Sequence, residues 1–399
     1  MNIAELKQTI KKLSAEYLAE FIAIRRHLHQ HPELSMEEVE TAAFIASKLD
    51  EYHIPYQKGI AKTGIIATIE GKNPSLKTIA LRADMDALPI TEINKTEYAS
   101  DNPGVMHACG HDVHIASLLG TAKILNGMKQ QFSGSIRLVF QPSEEKFPGG
   151  AFMMINEGVL KNPEPANIIA QHVLSSLDVG KIGVHSGKYM ASTDEIYLTV
   201  KGKGGHGATP ELNIDPVVIA AHIIIALQQI VSRNASPVIP TVLSFGKVTA
   251  NGRTNIIPDE VIIEGTIRTF DEKWRAEAHR KITKMAQSIA EGMGGSCDVF
   301  IDNGYPYLIN NEALTNRIQA YAIDYLGKEN VEQLDLRMAA EDFAYYSQQI
   351  PASLYRLGIR NEAKGIVANA HTSTFDVDEQ CLETGIGFMA WIAINELNQ

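Results

Sequence analysis

The stretch MHACGHDVHIASLLG, residues 106–120, concentrates side chains that bind metal ions. Cys109 and His111 are separated by Gly110, and the backbone freedom of glycine lets both side chains turn to the same side. A thiolate and an imidazole both suit zinc or a similar divalent ion. Taken alone, the pair favours a packed loop around a buried cysteine, so a metal site requires partners from elsewhere in the chain.

Such partners occur where polar segments follow apolar, strand-like runs. In VFQPSEE, Glu144 and Glu145 are adjacent, and neighbouring side chains of an extended segment diverge, so one can bind a metal while the other faces substrate. In LRADMDALP, Asp84 and Asp86 point to the same side of an extended chain, where one of them can hydrogen-bond a ligating histidine. The alternatives are a solvated loop end for the glutamates and a turn cap for the aspartates.

Single histidines supply further candidates. His172 follows an apolar strand, and His371 lies in a polar loop near the C-terminus; each would be structural if it stood alone. His114, three residues after His111, either supports a ligand or lies on the surface of the following helix. The amphipathic N-terminal segment carries three more, which we predict to be solvated: His27, His29 and His31.

The composition of the whole chain limits the classes of function. Of the 399 residues, 45% are hydrophobic and 21% are charged, as in globular proteins. The chain is longer than a single hydrophobic core usually accommodates, so we expect two domains. The formal charge of −11 argues against nucleic-acid binding, because phosphates would be repelled. The three cysteines are widely separated, and the chain shows no signal-peptide pattern, so we predict a cytoplasmic protein. No run approaches the roughly 20 apolar residues of a membrane span, so we predict no membrane segment.

Strand-like and helical patterns alternate in the first half of the chain, which predicts an α/β fold with a mostly parallel sheet and sites at strand ends. Near residue 190 the pattern changes to strand, helix, strands, helix and strand over about 110 residues, the size of an independent α+β module. We therefore predict a catalytic α/β domain in two parts, 1–189 and 302–399, interrupted by a smaller inserted α+β domain at 190–301.

The polar stretches also form an ordered set that resembles one family. Their order and approximate spacing are similar to those of the aminoacylase/hippurate hydrolase-type metal-dependent amidohydrolases, which include N-acetyldiaminopimelate deacetylases and auxin-conjugate hydrolases. The resemblance covers residues 20–395 and rests on nine motifs: RADMDALP, HACGHDVHIASLLG, VFQPSEE, QHV, KGKGGHGATP, TNIIPDE, GTIRTF, AEDFAYY and NAHTSTFDVDE.

The resemblance implies a site for two divalent metal ions in each subunit. Glu144 falls on the general base, and Asp86 falls on the aspartate that supports the site. Ser373 departs from the family, because relatives often have a proline two residues after the last histidine, and this puts the rigidity of that loop in doubt. The implied metal ligands are Cys109, His111, Glu145, His172 and His371.

The resemblance also assigns roles to the inserted domain, which in relatives acts as a lid and forms a homodimer. His206, Asn255 and Arg268 match its substrate-contacting residues. A histidine such as His206 would donate to the developing oxyanion, in its own site or in the partner's. The guanidinium fork of Arg268 suits a substrate carboxylate.

These residue types support hydrolysis of an amide. Five ligand positions are too few to close two tetrahedral shells, which leaves room for water and substrate. A water activated by the metal ions would lose its proton to Glu144 and attack the amide of a small N-acyl amino acid, and the proton would pass to the departing amine. The thiolate favours zinc, whereas carboxylate and imidazole also admit manganese, with cobalt and nickel as further alternatives.

Other interpretations remain open at this point. A dipeptidase or carboxypeptidase would use the same metal centre. A thiol hydrolase would use Cys109 as its nucleophile, but it leaves the glutamate and the distant histidines without a role. A zinc-stabilised binding protein would need ligands clustered at short spacings, whereas these candidates span positions 109–371.

Overall fold

The structure, a computed structural model, describes residues 1–399 and forms two compact units. The first unit comprises Met1–Gly187, Ile309–Asp335 and Asp342–Gln399, and the second comprises Lys188–Leu308 and Leu336–Glu341. The predicted insertion, 190–301, lies within the second unit. That unit extends further because its last strand continues to Asn303 and because the chain returns to it once more after residue 335.

The first unit is built from helices and strands in alternation. Its elements are α1 (Ile3–Gln30), α2 (Val39–Glu51), β1 (Tyr56–Ile60), β2 (Gly64–Glu70), β3 (Thr78–Asp84), α3 (His111–Gly127), β4 (Ser135–Gln141), α4 (Gly150–Asn156), β5 (Ile168–Asp178), β6 (Ile182–Val184), α7 (Glu312–Leu326), β15 (Val331–Gln333), α8 (Ala344–Ser347), β16 (Ala352–Arg360) and α9 (Cys381–Leu397). The strands β7 (Gly187–Met190) and β14 (Leu308–Asn310) lie where the chain passes between the units.

The eight-stranded sheet of the first unit has the order β1-β2-β4-β3-β5-β16-β6-β15. Its centre, β4-β3-β5-β16, is parallel throughout, and antiparallel pairs occur only outside this block. The central strands β3 and β4 are fully buried, as expected for parallel strands covered on both faces. The predicted α/β fold with a mostly parallel sheet is confirmed, and the carboxyl ends of β3 and β4 lead into polar motifs. His172, which was expected to follow a strand, lies within β5 instead.

The second unit contains β8 (Asp194–Lys201), β9 (Gly205–His206), α5 (Pro216–Gln229), β10 (Thr241–Thr249), β11 (Ile256–Ile257), β12 (Glu260–Thr269), α6 (Glu272–Gly292) and β13 (Ser296–Asn303). Four of its strands form an antiparallel sheet with the order β10-β12-β8-β13. Both helices pack on this sheet around a hydrophobic core of their own. An antiparallel sheet with helices is the α+β architecture predicted for this segment.

Helix α5 differs from what its sequence suggested. The helical stretch Pro216–Asn234 is long and apolar enough to cross a membrane by length and composition alone, whereas no such run was expected. One side of α5 belongs to the hydrophobic core of the second unit, through Ile219, Ile223 and Leu227. The other side leaves apolar residues exposed, among them Ile225.

Helix α1 corrects a second expectation. It packs against α3 and α9, so one of its faces is buried. His29 lies on that face and is buried, with its ring nitrogens 2.8 Å from the Asp112 carboxylate and 3.3 Å from that of Glu92. The prediction of a solvated His29 was therefore wrong, whereas His31 is exposed. Two histidines two residues apart on a helix face different directions, and only tertiary packing decides which one is buried.

Candidate metal centre

The first two ligand candidates lie at the start of α3. Gly110 precedes the helix with φ +82°, a left-handed conformation that glycine adopts without strain. A Cβ at this position would lie 2.5 Å from Cγ2 of Val173, so a larger residue would also clash with β5. Gly110 therefore lets Cys109 and His111 turn toward the same space, as the sequence suggested.

The adjacent glutamates lie in the loop that follows β4. Ser143 has a left-handed φ of +52°, and its N–H donates to Glu38 Oε1 at 2.8 Å. Its carbonyl accepts from Gly150 N at 2.8 Å, where a Cβ would lie 1.7 Å from the carbonyl oxygen of Pro142. The start of α4 thus packs closely against this loop, and its hydrogen bond helps to hold Ser143, the residue before Glu144, in a strained conformation.

The two remaining histidines come from distant parts of the chain. His172 lies on β5, and its Nδ1 donates to the carbonyl of Val173 at 2.7 Å, which leaves the lone pair of Nε2 available to a metal ion. His371 lies in a loop with a left-handed φ of +63°. Its backbone N–H donates to Ala108 O at 2.8 Å, which anchors this loop beside Cys109.

The structure brings all five predicted ligands together in overlapping groups. In each of three groups the ligand atoms lie within 4.8 Å of one another: Cys109, His111 and His172; Cys109, Glu145 and His371; and His111, Glu144 and Glu145. The Cys109 Sγ–His172 Nε2 distance is 3.6 Å, and the His371 Nε2–Glu145 Oε1 distance is 3.3 Å.

The chemistry of this donor set fits divalent metal ions. The Nε2 atom of His111 is buried and makes no hydrogen bond, an arrangement that is costly unless a metal or another group takes its place. Its other nitrogen, Nδ1, donates to the backbone carbonyl of Asp86 at 2.8 Å and so directs Nε2 into the cluster. One thiol, three imidazoles and one carboxylate are ligands of zinc and similar ions.

Asp86 fixes the loop that carries the glutamates. Its Oδ1 accepts from the backbone N–H of Glu144 and its Oδ2 from that of Glu145, each at 2.9 Å. The hydroxyl of Ser35 also donates to Oδ2, at 2.6 Å. Burial raises the pKa of Asp86, but the nearby His111 and these donors outweigh it, so the pKa lies below its usual range and the side chain is a carboxylate.

The protonation of the metal-free site follows from its burial. Burial, followed by the charge of Glu145, raises the pKa of the Cys109 thiol to about 12, so at neutral pH this side chain is a thiol. Burial lowers the pKa of His111, but the carboxylate of Asp84 raises it above its ordinary value overall. The hydrogen bond from His371 to Glu145 raises the pKa of His371 as well. Cations at this site would therefore displace protons.

A buried network behind the cluster was not found from the sequence. Arg82 donates to the Asp84 carboxylate at 2.6 Å and to that of Asp342 at 2.9 Å. Asp84 in turn lies 2.5 Å from Nδ1 of His114, whose Nε2 accepts from Val173 N at 2.9 Å. His114 thus supports the strand that carries a ligand, one of the two roles left open for it. An arginine inside the apolar run TIALRAD signals buried carboxylate partners, because a buried charge requires them.

The predicted substrate-binding residues all belong to the second unit. His206 and Asn255 are brought together because β9 pairs with β11, and the N–H of Gly207 donates to Asn255 O at 3.0 Å. Nδ1 of His206 accepts from Ala208 N at 3.0 Å, so its proton is on Nε2, which is exposed and can donate. Arg268, on β12, is half-buried, and its guanidinium makes no hydrogen bond or ion pair within the chain.

Comparisons with known proteins identify the family. A model of peptidase family M20/M25/M40 matches residues 80–395. The chain is 45% identical to an N-acyl-L-amino acid amidohydrolase of Geobacillus stearothermophilus over 305 residues, which are 76% of this chain and 81% of that relative. It is 38% identical to thermostable carboxypeptidase 2 of Saccharolobus solfataricus over 400 residues, which cover 100% of this chain and 99% of the relative.

A solved structure is similar over the whole chain. The crystal structure of a Bacillus subtilis protein described as a dinuclear metal binding peptidase from family M20 matches with a TM-score of 0.81 at 34% identity, covering 96% of this chain and 99% of that chain. The resemblance on which the sequence analysis relied is therefore confirmed. The chain belongs to peptidase family M20/M25/M40 and is a hydrolase of C–N bonds.

Proposed function

We propose that this protein hydrolyses the amide bond of small N-acyl amino acids at a centre of two divalent metal ions. The observation that carries the proposal is the position of Glu144, whose carboxylate lies within 4.8 Å of ligand atoms of His111 and Glu145. A carboxylate beside a metal-ligand cluster, and not needed to complete it, has the place of a general base. The name of the Geobacillus relative agrees with this substrate class.

We propose five ligands for the two ions: Cys109, His111, Glu145, His172 and His371. Cys109, His111 and Glu145 each belong to two of the three groups described above, so these groups overlap in one continuous cluster. When bound, the ions polarise the amide carbonyl and lower the pKa of water. Zinc suits the thiol and the imidazoles, manganese suits the imidazoles and the carboxylate, and cobalt or nickel are alternatives.

Glu144 would accept the proton of the attacking water and deliver it to the departing amine. Its backbone is held by Asp86, whose carboxylate binds the N–H groups of both glutamates, so the base and the ligand Glu145 keep their relative positions. Asp86 also orients His111 through its carbonyl. We therefore assign Asp86 the support of the site and Glu144 the proton transfer.

The second unit would recognise the substrate. Arg268 has no partner in the chain, and an unpaired, half-buried guanidinium suits the α-carboxylate of an acyl amino acid. Nε2–H of His206 is a free donor for the oxygen that becomes negative during attack, and Asn255 lies beside it. The glycines around His206 let the backbone approach a ligand closely.

A carboxypeptidase or dipeptidase activity is the second candidate. The Saccharolobus relative carries the name carboxypeptidase, and a peptide bond next to a terminal carboxylate presents the same groups as an N-acyl amino acid. A thiol hydrolase is disfavoured, because a Cys109 thiol with a pKa of about 12 is a poor nucleophile at neutral pH.

We also propose a homodimer formed through the second unit, which would be its lid and dimerisation domain. Helix α5 and the edge strand β10 expose apolar side chains, including those of Val218, Ile225 and Val248. An apolar helix face and an unpaired strand edge can each pair with the same surface of a second copy about a two-fold axis. The three cysteines are free, which agrees with the proposed cytoplasmic location.

Glu144→Gln should leave metal binding intact and lower turnover of N-acyl amino acids by roughly 10²–10⁴-fold, because the amide cannot accept a proton. Amine release is measured from a panel of N-acetyl, N-benzoyl and dipeptide substrates, with chelated and metal-restored enzyme. Glu16→Gln, which changes an exposed carboxylate on α1, is the control and should keep wild-type rates. Wild-type turnover by metal-loaded Glu144→Gln would refute the assignment.

Metal binding at pH 7 should release protons, because the thiol of Cys109, with a pKa of about 12, and a histidine with a raised pKa must both lose protons to coordinate. Metal affinity should accordingly rise with pH. Calorimetry in buffers of different ionisation enthalpy counts the protons. Cys109→Ser should release one fewer, whereas Cys381→Ser, which alters another buried free thiol, should match the wild type. Equal counts for both variants would exclude Cys109 as a ligand.

Arg268→Met should reduce kcat/KM for N-acyl amino acids by roughly 10–100-fold, the value of a hydrogen bond to a charged group. The same substrates with the carboxylate converted to a carboxamide should lose much less, because they lack the charge that Arg268 binds. Arg280→Met, on the exposed side of α6, serves as the control. Equal losses on both kinds of substrate would contradict a role in carboxylate recognition.

Ile225→Asp should convert the protein to a monomer, because it places a charge in the proposed interface. Ile225 is 73% exposed in the single chain, and Phe300, which is 62% exposed on the opposite edge strand β13, offers a matched control. Sedimentation velocity should give a dimer for the wild type and for Phe300→Asp. A wild-type monomer, or a dimer that only Phe300→Asp disrupts, would reject this interface.

A further inference from the structure

Arg82 lies at the centre of a fully buried polar network in the first unit. Its side chain on β3 uses all three nitrogens: Nη1 donates to Asp84 at 2.6 Å, Nη2 to Asp342 at 2.9 Å and Nε to Gln141 Oε1 at 2.9 Å. All four side chains are buried. Removing so many charged and polar groups from water is costly, and apolar residues of similar volume are often as stable in such places, so a buried ion-pair network is weak evidence of a purely stabilising role.

One arm of the network fixes Asp342. Its carboxylate accepts from Nε2 of Gln141 at 2.8 Å, from Ala151 N at 2.9 Å and from Arg82. Three donors from three segments hold this carboxylate, so the backbone to which it is attached has little freedom. Asp342 is also the residue at which the chain re-enters the first unit after Leu336–Glu341.

The backbone of Asp342 reaches the candidate base. Its N–H donates to Glu144 Oε1 at 3.4 Å. Hydrogen bonds of catalytic groups are often long before substrate and cofactors bind, and they tighten in the reacting complex. Gln141, which binds the Asp342 carboxylate, ends β4 three residues before Glu144, so the same short segment carries both the base and a donor to Asp342.

We propose that Asp342 is a positioning residue for Glu144: its clamped carboxylate sets the backbone N–H that orients the Glu144 carboxylate. The proposal rests on the function proposed above. The other arm of the network runs from Asp84 through His114 to the strand of His172 and has no contact of this kind with Glu144. Loss of the Asp342 clamp should therefore affect proton transfer and leave metal binding unchanged.

Asp342→Asn tests this directly, because it keeps the size of the side chain and removes its charge. We expect wild-type metal content and a KM within about 2-fold, with kcat lowered by roughly 10–100-fold, the usual effect of losing a supporting group. Crystal structures of the metal-loaded proteins should show the Glu144 carboxylate displaced from the N–H of residue 342. An unchanged kcat in the folded variant, or kcat falling only in proportion to metal content, would overturn the proposal.

Glu396→Gln is the matched control. Glu396 is a buried carboxylate of the same unit that binds Arg317 at 2.7 and 2.8 Å and Asn167 at 2.8 Å, with no link to the site. It should lower the melting temperature as Asp342→Asn does and leave kcat unchanged. An equal loss of kcat in Glu396→Gln would mean that general destabilisation explains the effect, and the proposal would fall.

Gln141→Met keeps the test decisive if Asp342→Asn does not fold. It removes the amide that donates to Asp342 and that accepts from Arg82 Nε, but leaves the ion pair between Arg82 and Asp342. We expect kcat to fall by about 5-fold, the order of a hydrogen bond's net contribution. An unchanged kcat would then overturn the proposal. If the wild type cleaves no amide with any metal, the proposed function fails. Crystal structures still test the positioning role of Asp342, because a Glu144 carboxylate that keeps its place in the variant would contradict that role.

Discussion

The buried carboxylate of Asp86 is the interaction on which the arrangement of the site depends. Asp86 lies two residues after the end of β3, and its carboxylate binds the backbone N–H groups of Glu144 and Glu145 in the segment after β4. The carbonyl of the same residue orients His111 at the start of α3. Leaving a buried carboxylate without its donors would cost several kilocalories per mole, so the three segments hold one another in place.

Strained backbone also occurs around the site, and other hydrogen bonds hold it. Ser143 and His371 have left-handed φ angles that non-glycine residues rarely adopt, and both lie in segments that carry site residues. Each is held by a specific hydrogen bond: Ser143 N to Glu38 and His371 N to Ala108 O. Such strain persists only where the surroundings determine the conformation, and these two hydrogen bonds hold the segments that carry Glu144 and His371.

Much of the site could be predicted from the sequence because the chemistry is specific. Cysteine, histidine and glutamate at strand ends are few, and a parallel sheet brings the carboxyl ends of its strands to one edge. The candidate ligands at the start of α3 and after β4 followed from this rule, whereas the candidate His172 lies within β5. His371 required the order of the motifs, because nothing in its own loop shows that its N–H reaches Ala108.

Other features could not be predicted, because they depend on packing between distant segments. Asp342 lies in the motif AEDFAYY, but its partners Arg82 and Gln141 come from β3 and β4. His29 was taken for a surface residue, because its burial depends on which face of α1 packs against α3. In α5 the apolar residues on both sides give no helical stripe, so the sequence does not distinguish the core face from the exposed one.

The two units differ in how completely their functional side chains are partnered, and this difference agrees with a division of work between them. In the first unit the carboxylates of Asp84 and Asp86 accept several hydrogen bonds each, which gives fixed positions and lowered pKa values. In the second unit Arg268 has no partner within the chain, and Nε2–H of His206 is exposed. Groups that hold ligands and move protons need preorganisation, which full hydrogen bonding provides. Groups that recognise a substrate must keep their donors available until it binds, so the unpaired guanidinium of Arg268 supports its proposed role in recognition, as the saturated carboxylate of Asp86 supports its proposed role in holding the site.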